Sequence, residues 1–263
     1  MRDDWVDLLD SDRLHRAVEG CEAVFHVAAL YSFTAPTREL EAVNVEGTRN
    51  VLEAARRVGA RLVHTSTCAT CGPVAGRPAT EDDRPPAWEL VVPYKRTKLE
   101  AERLALAAGA IVVNPTTPVG AGGRRPTPTG AMVRGVARGG IRGFVPTTGL
   151  NIVDVRDVAL GHALALERGK PGERYLLGGR DLWLEDLFAQ IAEIAGRPRP
   201  RIRVPYTVAR AAGMLRLVNR HEVRLARLPM YFSSARAERE LGYRCSPIAP
   251  AIARAVASMR SPG

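Results

Sequence analysis

Between Ser11 and Asn114, stretches with helical spacing of apolar residues alternate with short apolar runs, and few folds accommodate that rhythm. Ser11 to Glu19 reads as a helix capped by Ser11 or Asp12, followed by a strand from Ala23 to Val27. Glu39 to Arg57 reads as a longer amphipathic helix, with Val43, Val51, Leu52 and Ala55 near helical spacing and Gly59 as its stop. A strand from Arg61 to Thr65 comes next, then a polar loop from Gly72 to Ala87, a helix from Tyr94 to Ala108, and a strand from Ile111 to Asn114. Helices that alternate with short strands imply βαβ units and a parallel sheet.

Beyond Pro115 the texture changes. Gly120, Gly122, Gly123, Pro126 and Pro128 mark an irregular segment ahead of a helix near Ala131 to Ala137. A long helix is expected from about Val155 to Arg168 and a strand from Glu173 to Leu177; the rest reads as short helices broken by prolines. The expected class is α/β: a Rossmann-type parallel sheet, N-terminally incomplete, with a small, mostly helical C-terminal lobe. Residues 1–117 and 143–178 would form the dinucleotide-binding part, and 118–142 with 179–263 the substrate lobe, with a cleft between them as the ligand site.

Composition removes other classes. The 46% hydrophobic and 25% charged content fits a globular chain. The longest apolar run, Leu104 to Val113, is shorter than the ~18–20 residues of a membrane helix, and the start, Met1 to Asp4, lacks the basic character of a secretory signal, so a cytoplasmic location is expected. The net charge of +10 does not point to nucleic acid, because 35 arginines are spread along the chain without a basic block or interleaved aromatics. The only lysines are Lys95, Lys98 and Lys170, so a lysine at a mechanistic spacing carries information. No metal is expected: Cys68 and Cys71 lack a second ligand pair, and Cys21 and Cys245 read as buried or incidental free thiols. His15, His26, His162 and His221 share no spacing, and Glu100 and Glu102 read as solvated helix faces.

The most informative motif is Tyr94-Lys95-Arg96-Thr97-Lys98 at the head of a helix, preceded by Thr65-Ser66-Thr67 at the end of a strand. Residues four apart share a helical face, so the Tyr94 hydroxyl and the Lys98 ammonium can approach one site. A nearby cation favours phenolate and would lower the tyrosine pKa toward proton-transfer chemistry, and Thr67 can hold a substrate oxygen.

Further motifs accompany this pair: Gly20 to Ala29, Asn44-Val45-Glu46-Gly47-Thr48, Asn114-Pro115-Thr116-Thr117-Pro118-Val119-Gly120, Arg125 to Gly130, Asn151 to Val155 and Phe232-Ser233-Ser234. With them the chain resembles an extended short-chain dehydrogenase/reductase of the NAD(P)-dependent epimerase/dehydratase family. Within that family it is most similar to the branch of hopanoid-associated sugar epimerases and dihydroflavonol reductase-like proteins. The resemblance implies hydride chemistry with NAD or NADP on a hydroxyl-bearing or carbonyl small molecule, a nucleotide sugar among the candidates. It implies Tyr94 as general acid/base, Lys98 as its partner and a ribose contact, Thr67 as the hydroxyl on the reacting oxygen, and Asn44 as a prop for the proton relay. Asp7 and Leu8 would contact adenine, Ala28, Ala29 and Thr65 would line the cofactor's path, Pro115 and Thr116 would sit by the nicotinamide, and Asn114 and Thr117 would join Thr67 and Tyr94 around substrate. It also implies a homodimer built on the two helices 39–57 and 94–108, with Ala54, Ala55, Ala101 and Ala105 allowing close approach.

One departure is plain. The family opens with a strand, a Gly-x-x-Gly-x-x-Gly turn and a helix whose N-terminus holds the pyrophosphate, and this sequence has no such turn. Gly120-Ala121-Gly122-Gly123 leads into Arg124-Arg125-Pro126 and reads as a substrate-side loop. The expectation is that the start lies upstream of Met1 or that the gene is truncated, that the chain as written binds NAD(P) weakly, and that the strand at Ala23 exposes an apolar edge along Val24, Phe25 and Val27. The alternative is a catalytically dead remnant that acts at most as a binding or interaction module.

Overall fold

The computed structural model describes residues 5–122 and 127–259. The first four residues and Gly123, Arg124, Arg125 and Pro126 of the glycine- and proline-rich segment lie outside the described residues. The first half runs α1 (Ser11–Val18), β1 (Ala23–His26), α2 (Thr37–Glu41), a π-helical turn (Ala42–Glu46), α3 (Gly47–Val58), β2 (Arg61–Thr65), α4 (Pro93–Ala107) and β3 (Ile111–Pro115). The second half runs β4 (Thr117–Val119), α5 (Pro128–Ala137), β5 (Gly143–Phe144), β6 (Gly149–Asp154), α6 (Val155–Arg168), β7 (Arg174–Leu177), β8 (Arg180–Trp183), α7 (Leu184–Ala195), β9 (Ile202–Arg203), α8 (Tyr206–Met214), α9 (Arg220–Leu225), α10 (Ala235–Leu241) and α11 (Ile248–Ser258).

The predicted parallel sheet is present. Its order is β1-β2-β3-β7 and every pairing is parallel, with His26 beside His64 and Thr65 beside Val113. Val63, Val112, Val113, Leu176 and Leu177 are completely buried, as expected of strands covered by helices on both faces. The helix expected from Glu39 to Arg57 is interrupted by the π turn at Ala42–Glu46, and α3 ends where Gly59 takes a positive φ of 68° and caps the last carbonyls. Sequence periodicity did not resolve β4, β6, β8 and β9. Each is short or mixed in polarity, and they pair as β4-β6-β8 and β5-β9, through partners distant in sequence. A second apolar cluster, built from Val133, Phe144, Ile152, Leu187, Ile191 and Ile252 among others, joins these strands to α5, α7 and α11.

Two expectations are corrected. Glu102 is not solvated: it is 1% exposed and pairs with Arg174 Nη1 at 2.7 Å, while Thr70 Oγ1 and Asn114 Nδ2 each donate to it at 2.6 Å. Nor do Ala54, Ala55, Ala101 and Ala105 face outward; all four are buried, and Ala54, Ala55 and Ala105 share a cluster with α1 and β2. Cys21 and Cys245 are exposed free thiols, whereas Cys68 and Cys71 are buried under the sheet's edge loop. The expected apolar edge is present in part: among the described residues β1 is paired along one side only, Phe25 on it is 45% exposed and Val27 just past it 58% exposed, while Val24 is half-buried against the cluster of α1 and α3.

Arg174 does more than neutralise Glu102. It also donates to the carbonyls of Glu81 and Asp83, which ties the loop after β2 to β7. Arg174→Met is therefore expected to destabilise the fold by about 3–5 kcal/mol in urea unfolding, because it leaves Glu102 buried and charged. Adding Glu102→Gln, which keeps an acceptor for Thr70 and Asn114 without the charge, should recover a large part of the loss. A cost under ~1 kcal/mol for Arg174→Met would show that the pair does not hold the fold.

Candidate active site

The carboxyl ends of β1, β2, β3 and β7 open to one side of the sheet, where parallel α/β proteins place their ligand crevices. Helix α4 enters this region with Val92 as its N-cap and Pro93 in its first turn, which suits a position whose N–H would have no helical partner. Tyr94, Lys98 and Glu102 recur every four residues and all face inward.

Tyr94 is 8% exposed, with the Thr67 side chain close enough to its hydroxyl to favour the ionised form. Its ring lies 4.7 Å from Tyr31 and 5.9 Å, edge to face, from Phe33, and Leu30 and Leu225 pack on the same cluster. Burial pushes the Tyr94 phenol above its ordinary value, and the negative forms of Tyr31 and Cys68 add to this, with only the Thr67 side chain opposing. This corrects the expectation of a tyrosine pKa lowered by lysine. The Lys98 ammonium instead donates to the Thr65 carbonyl at 2.8 Å, and desolvation lowers its pKa to about 8, offset in part by Glu102.

Thr67 has extended backbone and caps the short turn Cys68–Thr70 by accepting from the Ala69 N–H. The Thr65 side chain turns away from Lys98 and meets His162 Nε2 at 2.8 Å. Asn44 sits on the π turn, a helix irregularity often found at functional sites. It holds Leu30 through both amide atoms and donates to Thr97 Oγ1 at 3.3 Å, so it reaches the turn between Tyr94 and Lys98 rather than either side chain.

Asn114 is completely buried, and its amide donates to Glu102, Thr70 and the Thr67 carbonyl. Thr116 and Pro115 lie at the end of β3, and Thr117 opens β4 beside Ile152. Ala28 and Ala29 are exposed just past β1. Asp7 is exposed and its carboxylate accepts from the Leu9 N–H; Leu8 presses on Gly47, where a Cβ would come within 2.9 Å. Tyr94, Lys98, Thr67, Thr65, Asn114, Pro115 and Thr116 thus gather around the ends of β2 and β3, while Asp7 and Leu8 lie against α3.

Sequence reading missed three features. Glu102 continues the Tyr94–Lys98 stripe, and the same four-residue spacing could have revealed it. Tyr31 and Phe33 form an aromatic wall, signalled by two rings close together in a chain with 5% aromatics. Third, Ser66 Oγ and Thr116 Oγ1 are buried without a hydrogen-bond partner among the described residues. Unpaired buried hydroxyls cost free energy, and these two stand just past the ends of β2 and β3.

Beside Lys98 lie two histidines, His26 and His64, with ring centroids 5.0 Å apart. Burial, reinforced by the Lys98 charge, lowers His26 to about 4 and pushes His64 well below its ordinary range. Neutral rings keep further positive charge away from the lysine. A folded-state pKa below the unfolded value means the unfolded chain binds more protons as pH falls below 6.5, so His26 withdraws stability from there down to about 4. The full loss is on the order of 3 kcal/mol. Melting temperatures should fall between pH 7 and pH 5, and His26→Gln should flatten part of that slope; an unchanged slope would contradict the buried neutral state.

Comparison with known proteins agrees with this geometry. Residues 2–178 match the NAD dependent epimerase/dehydratase family. A protein of Synechocystis sp., provisionally named a dihydroflavonol 4-reductase, is 39% identical over 96% of this chain and 80% of its own length. Sterol demethylase protein B of Methylococcus capsulatus is 32% identical over 98% of this chain and 84% of its own. Among solved structures, gox2253 superposes with a TM-score of 0.85 at 40% identity, covering 97% of this chain and 83% of its own. A nucleoside-diphosphate-sugar epimerase from Pseudomonas aeruginosa shares the fold with a TM-score of 0.82 at 24% identity, covering 97% of this chain and 81% of its own. With the parallel sheet and strand-end site already described, these likenesses make the chain a member of the NAD dependent epimerase/dehydratase family and an NAD(P)-dependent enzyme.

Proposed function

We propose that this protein is a carbonyl reductase acting on an apolar ketone or the matching alcohol, with Tyr94, Lys98 and Thr67 as its catalytic residues. The observation that carries the reading is the wall of Tyr31, Phe33 and Leu225 around the Tyr94 ring, an apolar surface suited to a hydrocarbon substrate. The names of the relatives support the same class, since a 2-alkyl-3-oxoalkanoate reductase of Stenotrophomonas maltophilia is 30% identical over 90% of this chain.

NAD(P) supplies or accepts the hydride when bound. The residues present fit its nicotinamide half: Lys98 can donate to ribose hydroxyls, and the unpaired Ser66 and Thr116 hydroxyls, with Thr65 and Pro115, can receive the nicotinamide end. Ala28 and Ala29 offer a side-chain-poor path past β1, and Asp7 and Leu8 an adenine contact. Among the described residues there is no glycine-rich strand-to-helix turn for the pyrophosphate.

Thr67 and Tyr94 together present two hydroxyls to a substrate oxygen. Tyr94 gives its proton to the oxygen as the carbonyl becomes an alkoxide, a step that starts from the protonated phenol that burial favours. Lys98 becomes more effective as a cation when an anion approaches it. Asn44 positions the α4 turn through Thr97, Asn114 holds the Thr67 carbonyl in place beside the substrate oxygen, and Thr117 at the start of β4 is a further substrate contact in this reading. The division into a dinucleotide-binding part (1–117 and 143–178) and a substrate lobe (118–142 and 179–263) belongs to this proposal, as does a cytoplasmic location. Among the described residues no helix is long and apolar enough to cross a membrane. A homodimer is also proposed, and it would have to use the outer faces of α3 and α4, since their alanines are buried.

A panel of apolar ketones, followed by nicotinamide absorbance, should show stoichiometric cofactor consumption; turnover without net consumption would indicate an epimerase instead. With an active substrate, Tyr94→Phe should lower kcat by at least ~100-fold while leaving cofactor affinity nearly unchanged. Lys98→Ala should impair both. Equal turnover in Tyr94→Phe would overturn the assignment.

A further inference from the structure

Helices α8 and α9 form a hairpin whose base lies on the candidate site and whose tip projects away from it. At the base, Leu225 packs with the Tyr94 cluster, Arg227 stacks over Trp88 at 5.3 Å, and the Thr147 and Thr148 hydroxyls donate to the Ala226 carbonyl. Gly213 allows the two helices to approach closely, its α-carbon facing Arg220 and Val223 of α9.

The tip is unlike the rest of the surface. Met214, Leu215 and Leu217 are 75%, 71% and 74% exposed, and Val218 is 47% exposed. Between Leu215 and Leu217, Arg216 adopts a φ of 59°, the one positive φ of a non-glycine residue among the described residues. Arg216 is the left-handed residue that closes α8, with its own N–H on the Gly213 carbonyl and the Leu217 N–H on the Ala212 carbonyl, so the turn that displays these side chains is a built helix cap. Contiguous exposed apolar side chains on a soluble fold mark an interaction surface.

Charge says what kind of surface would meet it. Arg216 and Arg220 lie at the tip, with Arg210 on α8 and Arg224 on α9 further along the hairpin; all four are exposed and none is in an ion pair among the described residues. From Arg210 to Arg227 the only carboxylate is Glu222, in the first turn of α9, whose charge also acts on Tyr31. Apolar side chains that can enter a hydrocarbon boundary, with unpaired guanidinium groups that bind phosphate beside them, match the layered chemistry of an anionic bilayer surface.

We propose that the α8–α9 hairpin docks this protein on anionic lipid, with Met214, Leu215, Leu217 and Val218 in the acyl boundary and the four arginines on headgroup phosphates. Docking of this kind is an interfacial contact, made without a spanning helix, and it stands whether or not the reaction at Tyr94 is a ketone reduction.

The test is flotation of the full chain with vesicles of equal parts phosphatidylcholine and phosphatidylglycerol, against pure phosphatidylcholine. Wild type should float with the mixed vesicles and not with the neutral ones, and high salt should weaken it. Leu215→Ser with Leu217→Ser, which leaves charge unchanged, should reduce binding at least ~10-fold. Arg216→Gln with Arg220→Gln should do the same, while Arg16→Gln with Arg56→Gln, an equal charge loss on α1 and α3, should leave binding nearly intact. These positions are exposed, and equal melting temperatures would confirm folding; the two hairpin pairs fail independently if either misfolds. The proposal is overturned if wild type ignores anionic vesicles, or if the remote arginine pair matters as much as the local one. It is equally overturned if light scattering shows a dimer that Leu215→Ser with Leu217→Ser dissociates while vesicle binding stays unchanged, since the patch would then join two copies of the chain.

Discussion

The structure depends on a single demand: the inner stripe of α4 carries a phenol, an ammonium and a carboxylate into a dry interior, and each must find a partner there. Tyr94 finds Thr67, Lys98 the Thr65 carbonyl, and Glu102 the Arg174 guanidinium. Uncompensated, any of these groups would cost several kcal/mol, so the partners fix where β2, β3, β7 and the loop after β2 can lie. Asn114 joins the two ends of this arrangement, donating both to Glu102 and to the Thr67 carbonyl beside the tyrosine. The ion pair that stabilises the core therefore also sets the geometry of the crevice.

A second buried pair acts beside it. Lys95, 2% exposed, is bonded to the fully buried Glu89, which anchors the turn leading into α4. With α4 held at its N-terminus by Glu89 and in its middle by Arg174, the Tyr94 hydroxyl has little freedom to move. A proton donor held in place needs little reorganisation during reaction, which is where much of an enzyme's advantage arises. Among the buried polar atoms without a partner in the described residues, Ser66 Oγ and Thr116 Oγ1 stand just past the ends of β2 and β3.

Two regions contrast with this tightly paired centre. The outer side of β1 presents Phe25 and Val27 to solvent, and the α8–α9 hairpin presents Met214, Leu215 and Leu217. The first is a backbone edge, whose unpaired N–H and C=O groups call for another strand. The second is a side-chain surface on the turn between two helices, with arginines beside it, so it calls for an apolar, anionic boundary.

Local pattern determined much of this by itself. The alternation of helix and strand periods specified β1, β2, β3 and β7 as a parallel set, glycines at 59 and 109 stopped their helices, and the four-residue spacing put Tyr94 and Lys98 on one face. Those features follow from backbone geometry and from neighbours a few residues away. Tertiary structure decided the rest. Glu102 reads as solvated until Arg174, 72 residues later, arrives on β7 to pair with it. The small residues of α3 and α4 can face in or out until α1 and β2 cover them. Strand β4 has only three residues and β6 and β8 mix polar with apolar side chains, so none declares itself without the others. The tyrosine's acidity, too, was set by how much protein surrounds it rather than by the lysine one turn away, because desolvation depends on every atom packed nearby and a sequence shows only the order in which those atoms are joined.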